Sequence, residues 1–168
     1  MAGICGWLNE RTDEPRPDLN AMADALNRFD GAKIQLYDRP WCGIAAADLG
    51  SGPYLSDAAP YLIAFSGTPN FIDRELQEIQ RSKGGMVALA EGYRRFRDEL
   101  ANRLSGQYSV AIIDQNEKSL YLAVDRFATH PLAYVGDTDG IQFASSLDAL
   151  VGSGGGGFEL NPQAIFHY

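Results

Sequence analysis

Histidine and cysteine are scarce: the 168 residues hold only His130 and His167, and only Cys5 and Cys42. Two histidines leave little material for a histidine-based metal site or a serine-histidine triad. Two cysteines without the paired spacing of a zinc site are too few for a disulfide framework, and they suit a reducing, cytoplasmic setting. Basic residues are few as well. Fourteen Lys and Arg stand against 22 Asp and Glu, giving a net charge of −8, and no basic stripe is present to displace counterions from nucleic acid or to hold an anionic membrane surface. No apolar run is long enough for a signal peptide or a membrane span. Small molecules or proteins remain as partners. With 45% hydrophobic residues, the chain is expected to form one soluble globular domain with a sizeable core.

The opening stretch Met1-Ala2-Gly3-Ile4-Cys5-Gly6-Trp7-Leu8 is apolar from the first residue and broken only by two glycines. Chain ends fray unless tied into a sheet, so this stretch predicts a buried first strand with a free amino group placed for chemistry. The acidic, proline-rich Asn9 to Pro17 reads as a loop. Leu19, Met22, Ala23 and Leu26 then recur at helical spacing and predict a helix over Leu19 to Arg28, capped by Asp18 or Asn20. Lys33 to Tyr37 and Cys42 to Asp48 read as neighbouring strands across the turn Asp38-Arg39-Pro40. Gly50 to Pro53 and Ser56 to Pro60 punctuate the chain before the buried strand Tyr61 to Phe65, which ends at a candidate site loop, Ser66-Gly67-Thr68-Pro69.

Asn70 is placed to cap a helix with Ile72, Leu76 and Ile79 on one face, ended by Ser82-Lys83-Gly84-Gly85. Met86, Leu89, Ala90 and Tyr93, followed by Phe96, Leu100 and Leu104, predict two further helices or one broken one. The period then changes. Gln107 to Asp114, Ser119 to Asp125, Leu132 to Val135 and Ile141 to Ala144 read as a meander of antiparallel strands, with His130 filling the turn before Pro131. Strands, a helical block and strands again indicate layered α+β. Gly152 to Gly157 is a flexible linker, and Asn161-Pro162 a helix start. The domain is therefore placed at 1–151 and the linker at 152–157, with 158–168 either opening a following domain or forming a docking helix.

Four ordered stretches carry a resemblance: the start Gly3-Ile4-Cys5-Gly6-Trp7-Leu8, Leu104 to Asp114, Leu122 to Tyr134, and Phe143 to Leu150. Together they resemble the amidotransferase domain of glutamine-dependent asparagine synthetases. The resemblance implies an N-terminal-nucleophile fold, a four-layer αββα sandwich of two antiparallel sheets between helical layers.

In that family the second residue is a cysteine that becomes both N-terminus and nucleophile. Its thiol attacks the glutamine side-chain amide while the α-amino group, with a pKa near 8, serves as base. Here the matching residue is Ala2, and a methyl group forms no thioester. Cys5 is the nearest thiol, but using it as nucleophile requires cleavage after Ile4; otherwise it is a buried strand cysteine.

The rest of the implied glutamine pocket departs as well. The arginine that grips the substrate carboxylate is matched by Gly43 or Cys42, with Arg39 a residue or two out of register. The asparagine-glycine-glutamate that supplies an oxyanion donor is matched by Ser66-Gly67-Thr68. The aspartate that holds the substrate amino group is matched by Lys83, of opposite charge.

The expectation is a domain that retains the fold without glutaminase activity, a structural and interface module of an ATP-dependent amide-forming enzyme. Rival readings are an active glutaminase using Cys5 and a stand-alone binding module for another small amino compound. No metal or cofactor is expected in this domain. ATP and Mg are expected only in a C-terminal synthetase domain joined in cis, and a homodimer is open.

Overall fold

Alternating side chains and glycines make β1 (Gly3–Asn9) slim enough to lie between two strands. The computed structural model of the chain describes residues 3–9, 16–27, 32–48, 55–136 and 140–152. After β1 come α1 (Leu19–Leu26), β2 (Lys33–Asp38), β3 (Cys42–Asp48), β4 (Leu55–Ala58), β5 (Tyr61–Gly67) and β6 (Asn70–Phe71). The helical block is α2 (Arg74–Lys83), α3 (Gly85–Phe96) and a 3-10 helix, Arg97–Arg103. Strands β7 (Leu104–Ser105), β8 (Tyr108–Asp114), β9 (Ser119–Val124), β10 (Ala133–Gly136) and β11 (Gly140–Ala144) follow, and then α4 (Leu147–Val151).

One sheet has the order β10-β11-β1-β3-β2 and the other β4-β5-β8-β9, with every pairing antiparallel. Period-two alternation gives each strand two faces, and three buried clusters fill the spaces between layers. Cys5, Trp7, Ala45 and Ala47 pack against Leu19, Met22 and Leu150 of α1 and α4. Ile4, Leu8, Ile44 and Ala46 meet Leu62, Ala64, Ala111 and Ile113 between the sheets. Ile63, Val110 and Ile112 meet Leu76, Leu89 and Tyr93 of α2 and α3. The result is the αββα sandwich, with the central strands of both sheets buried on both faces.

Several local expectations change. Asp73, not Asn70, caps α2, its Oδ1 accepting from Leu76 N at 3.1 Å; Asn70 instead pairs with Ser105 in the small β6–β7 ladder. Ile72 lies before the helix and is 61% exposed. Ser56 to Pro60, read as punctuation, overlaps β4, which pairs with β5. The helical pattern past Phe96 breaks because Arg97 takes φ 46, and a 3-10 segment follows. There the Arg97 guanidinium donates to Asp114 Oδ2 at 2.6 Å. Burial alone would push the Asp114 carboxyl up, but Arg97 and the N–H groups of Glu117 and Asn116 hold it below the usual range.

The strands after the helices form no single meander. β8–β9 is a hairpin of one sheet and β10–β11 of the other, because the loop after Val124 crosses between sheets. α1 ends at Leu26, and Arg28, Gly50 to Pro53 and the linker beyond Gly152 lie outside the described residues.

Leu62→Ala and Ile113→Ala, each removing a fully buried side chain between the sheets, will cost ~2–5 kcal/mol apiece. Ile72→Ala will stay within about 0.5 kcal/mol. Guanidinium chloride unfolding reads all three.

Candidate active site

The start of β1 is fixed on both sides. Its Gly3 pairs with Ala47 of β3, and Ser145 closes the other side, its Oγ accepting from Ile4 N at 3.0 Å and its N–H donating to Ile4 O at 2.8 Å. Ala2 lies outside the described residues. Cys5 faces α1, within the cluster that holds Trp7 and Met22, with no exposed surface. Burial pushes its thiol up to about 12, so it stays protonated at neutral pH.

The candidate residues are spread over the sandwich. Gly43 also faces α1, directly opposite Trp7. A Cβ there would meet Trp7 Nε1 at 2.5 Å and Leu19 Cδ2 at 3.1 Å. Only hydrogen fits under that indole. Cys42 faces the inter-sheet space, buried, its thiol raised to about 11 chiefly by desolvation. It pairs with Leu8, five residues along β1 from Gly3 and thus roughly 16 Å away. Arg39, at the same end, is engaged with Asp57 at 3.2 Å. Lys83 is the exposed last residue of α2, in the helical layer outside the second sheet.

Ser66 and Gly67 end β5. Ser66 shares the parity of Leu62 and Ala64 and so faces the first sheet. The structure joins it to a residue that sequence reasoning assigned only to a turn: Ser66 Oγ lies 3.2 Å from His130 Nδ1. Gly67 has φ +87, and a Cβ there would strike Gln107 O and approach the His130 ring at 2.8 Å. Thr68 N–H donates to the same Gln107 carbonyl at 2.7 Å. Across the ladder, Ser109 is paired with Ser66, and its Oγ is fully buried with no partner among the described residues. Two hydroxyls and an imidazole therefore gather at the strand end, whereas Cys5 and Gly43 lie on the far face of the other sheet.

His130 is held in place by Asp125. Its carboxylate accepts from Tyr108 N at 3.1 Å, Phe127 N at 2.9 Å, Thr129 N at 3.0 Å and Thr129 Oγ1 at 3.2 Å, tying the whole loop between the sheets. Burial pushes this carboxyl up, and the hydrogen bonds from Phe127, Tyr108 and Thr129 more than offset it, so it lies below the usual range. The Asp125-to-Thr129 spacing was the one sequence signal for this knot, since an aspartate commonly caps the turn that follows it. Nothing in the sequence linked the histidine to a serine 64 positions away. Among the described residues no group of His, Cys, Asp and Glu is arranged to hold a metal, and no helix is long and apolar enough to cross a membrane.

The sequence profile of the glutamine amidotransferase domain family matches residues 46–152. The chain belongs to this family. The amidotransferase domain is also 30% identical over 127 residues to asparagine synthetase [glutamine-hydrolyzing] 1 of Bacillus subtilis, a match covering 71% of this chain and 20% of that relative. The chain thus spans about a fifth of its relative's length. A solved structure of glutamine phosphoribosylpyrophosphate amidotransferase from B. subtilis, complexed with ADP and GMP, superposes with a TM-score of 0.52 at 16% identity, covering 90% of this chain and 43% of that one. That likeness establishes a shared fold, the N-terminal-nucleophile amidotransferase sandwich. The profile match begins at residue 46, after the strand that carries Cys5 and the turn that carries Arg39.

Gly67→Ala will cost ~1–3 kcal/mol, from a left-handed backbone and a collision with the Gln107 carbonyl, measurable by chemical unfolding. Asp125 has a folded pKa below the ~3.9 of an unfolded aspartate, so its contribution is fully present above that value and is lost as pH falls through the folded pKa. Asp125→Asn will lower Tm at neutral pH and make the decline below about pH 4 shallower, with Asp114 keeping its own share of that decline.

Proposed function

We propose that this amidotransferase domain is without glutaminase activity and acts as a structural and interface module of an ATP-dependent, amide-forming enzyme of the asparagine-synthetase type. The observation that carries the reading is the residue at position 2. The family's chemistry needs a thiol beside the free α-amino group, and the sequence has Ala2 there. Cys5 offers no substitute: it is buried against α1, where desolvation pushes its thiol up to about 12, and it is separated by its own sheet from the Ser66 strand end.

Each remaining position of the expected glutamine pocket weighs the same way. Gly43 has room for no side chain that would grip a carboxylate. The Ser66 hydroxyl, where the family has an asparagine amide, is already turned to His130. Lys83, which the resemblance matches to the aspartate that holds the substrate amino group, is the exposed last residue of α2 and supplies no anion for that role. The frame around these positions is intact, which fits a domain retained for what it holds in place. ATP and Mg chemistry, and any amine acceptor, then belong to chain beyond this domain. The −8 net charge fits a role without nucleic acid.

Incubated with glutamine, the purified chain will release no ammonia above the uncatalysed rate, and Cys5→Ala will change nothing. A diazoketone analogue of glutamine will leave the intact mass unaltered. Ammonia release that disappears in Cys5→Ala, or an adduct on a cysteine, would overturn the reading.

A further inference from the structure

Four strands lie at sheet edges: β10 and β2 in one sheet, β4 and β9 in the other. β10 and β4 have four residues each. β9 has the 3-10 helix against it, where Ala101 N–H donates to Tyr121 Oη at 2.9 Å. β2 is different. It has six residues, Lys33-Ile34-Gln35-Leu36-Tyr37-Asp38, and among the described residues no strand pairs with its outer edge. Its four central residues include no charge, proline or glycine, the usual devices that guard an open edge, and Leu36 is 39% exposed.

The turn into β3 decides which main-chain groups point outward. Arg39 N–H donates to Cys42 O at 2.8 Å, so positions 39 and 42 form a hydrogen-bonded pair. Alternation along the ladder then makes hydrogen-bonded pairs of Tyr37 with Ile44, Gln35 with Ala46 and Lys33 with Asp48. Lys33, Gln35 and Tyr37 therefore direct their N–H and C=O groups to β3, and those of Ile34, Leu36 and Asp38 point to the open edge. Side chains alternate too. Ile34 and Leu36 lie opposite Ala47 and Ala45 on the α1 face, while Gln35 and Tyr37 lie opposite Ala46 and Ile44 on the inter-sheet face.

We propose that β2 is a dimerisation edge, pairing antiparallel with β2 of a second copy about a two-fold axis that passes through Gln35 perpendicular to the sheet. Such an axis keeps each face of the sheet on its own side, so apolar meets apolar: Ile34 and Leu36 exchange main-chain hydrogen bonds with the other copy's Leu36 and Ile34. Gln35 meets its own counterpart, Lys33 lies opposite Tyr37, and Ala32 lies opposite Asp38. A register centred on Leu36 would engage a shorter stretch and set each Ile34 against a carboxylate. Charge favours the same arrangement. Antiparallel pairing brings the Lys33 end of each strand to the Asp38 end of the other, whereas parallel pairing would align like charges; Asp38 keeps its ion pair with Arg16 at 3.2 Å. A strand that matches itself about one residue needs only a second copy to close the interface. One ladder of this length is smaller than a permanent interface, so the dimer forms reversibly. This goes beyond the functional reading above and is independent of it.

Sedimentation velocity of chain 1–168 between about 10 µM and about 1 mM is expected to show the mean coefficient climbing toward that of a dimer. Leu36→Pro removes an outward N–H and no bond to β3, and it is expected to hold the chain monomeric over that range. Leu36→Lys, which places an ammonium in the seam, is expected to do the same and decides the matter if proline disturbs the strand. Thiols read the register. Gln35→Cys places two sulfurs across a non-hydrogen-bonded pair, within disulfide reach, and oxidised glutathione is expected to link them, leaving two reduced glutathiones per bond formed. Leu36→Cys, which faces Ile34, is expected to link about tenfold less; the native Cys5 and Cys42 are buried. A coefficient that stays monomeric throughout would overturn the proposal. So would a dimer that survives both Leu36→Pro and Leu36→Lys, or linkage of Leu36→Cys in preference to Gln35→Cys. Ammonia release by any of these chains would bear on the glutaminase reading and not on this one.

Discussion

Strand β1 is hydrogen-bonded along both edges, to β11 and to β3, and everything else depends on that double pairing. A central strand cannot shift register without moving both neighbours, and a one-residue slip would exchange its faces. Cys5 and Trp7 would enter the inter-sheet space while Ile4 and Leu8 would meet α1. The small residues of β3, Ala45, Ala46 and Ala47, let β1 and its helix approach closely, and Ser145 holds the strand's first described turn of backbone with two hydrogen bonds.

The loop from Asp125 to Pro131 has a comparable role for the second sheet. One carboxylate organises three N–H groups and a hydroxyl, which lets the chain leave β9 in one sheet and enter β10 in the other along a fixed path. His130 rides on this path to reach Ser66. The hydroxyl–imidazole contact therefore follows from scaffold geometry and requires no substrate to assemble it. A buried carboxylate with several hydrogen-bond donors around it rigidifies the loop it organises.

Most of the architecture was legible in the residues. The continuous apolar runs of β1, β3, β5 and β8 follow from burial on both strand faces, and the 3.6-residue period in α1 and α3 from burial on one helix face. The misreadings have equally physical causes. Leu55 to Ala58 is a short edge strand with polar residues, so its pairing with β5 leaves little hydrophobic trace. Ile72 has the spacing of a helix face but precedes the Asp73 cap, and local capping outweighed periodicity. The division of the last four strands between two sheets was hidden because antiparallel hairpins look alike in sequence whichever sheet they join. At the candidate site, that Ala2 stands where the resemblance puts a cysteine was readable from one letter. The contact between Ser66 and His130 was not, because it depends on a loop crossing set by Asp125.

The indole of Trp7 lying over Gly43 couples two positions of neighbouring strands. While that ring keeps its place, position 43 accepts hydrogen alone, so a larger residue cannot enter there by a single replacement. Trp7 would have to yield first, opening a hole in the layer beneath α1. The two positions therefore change only as a pair.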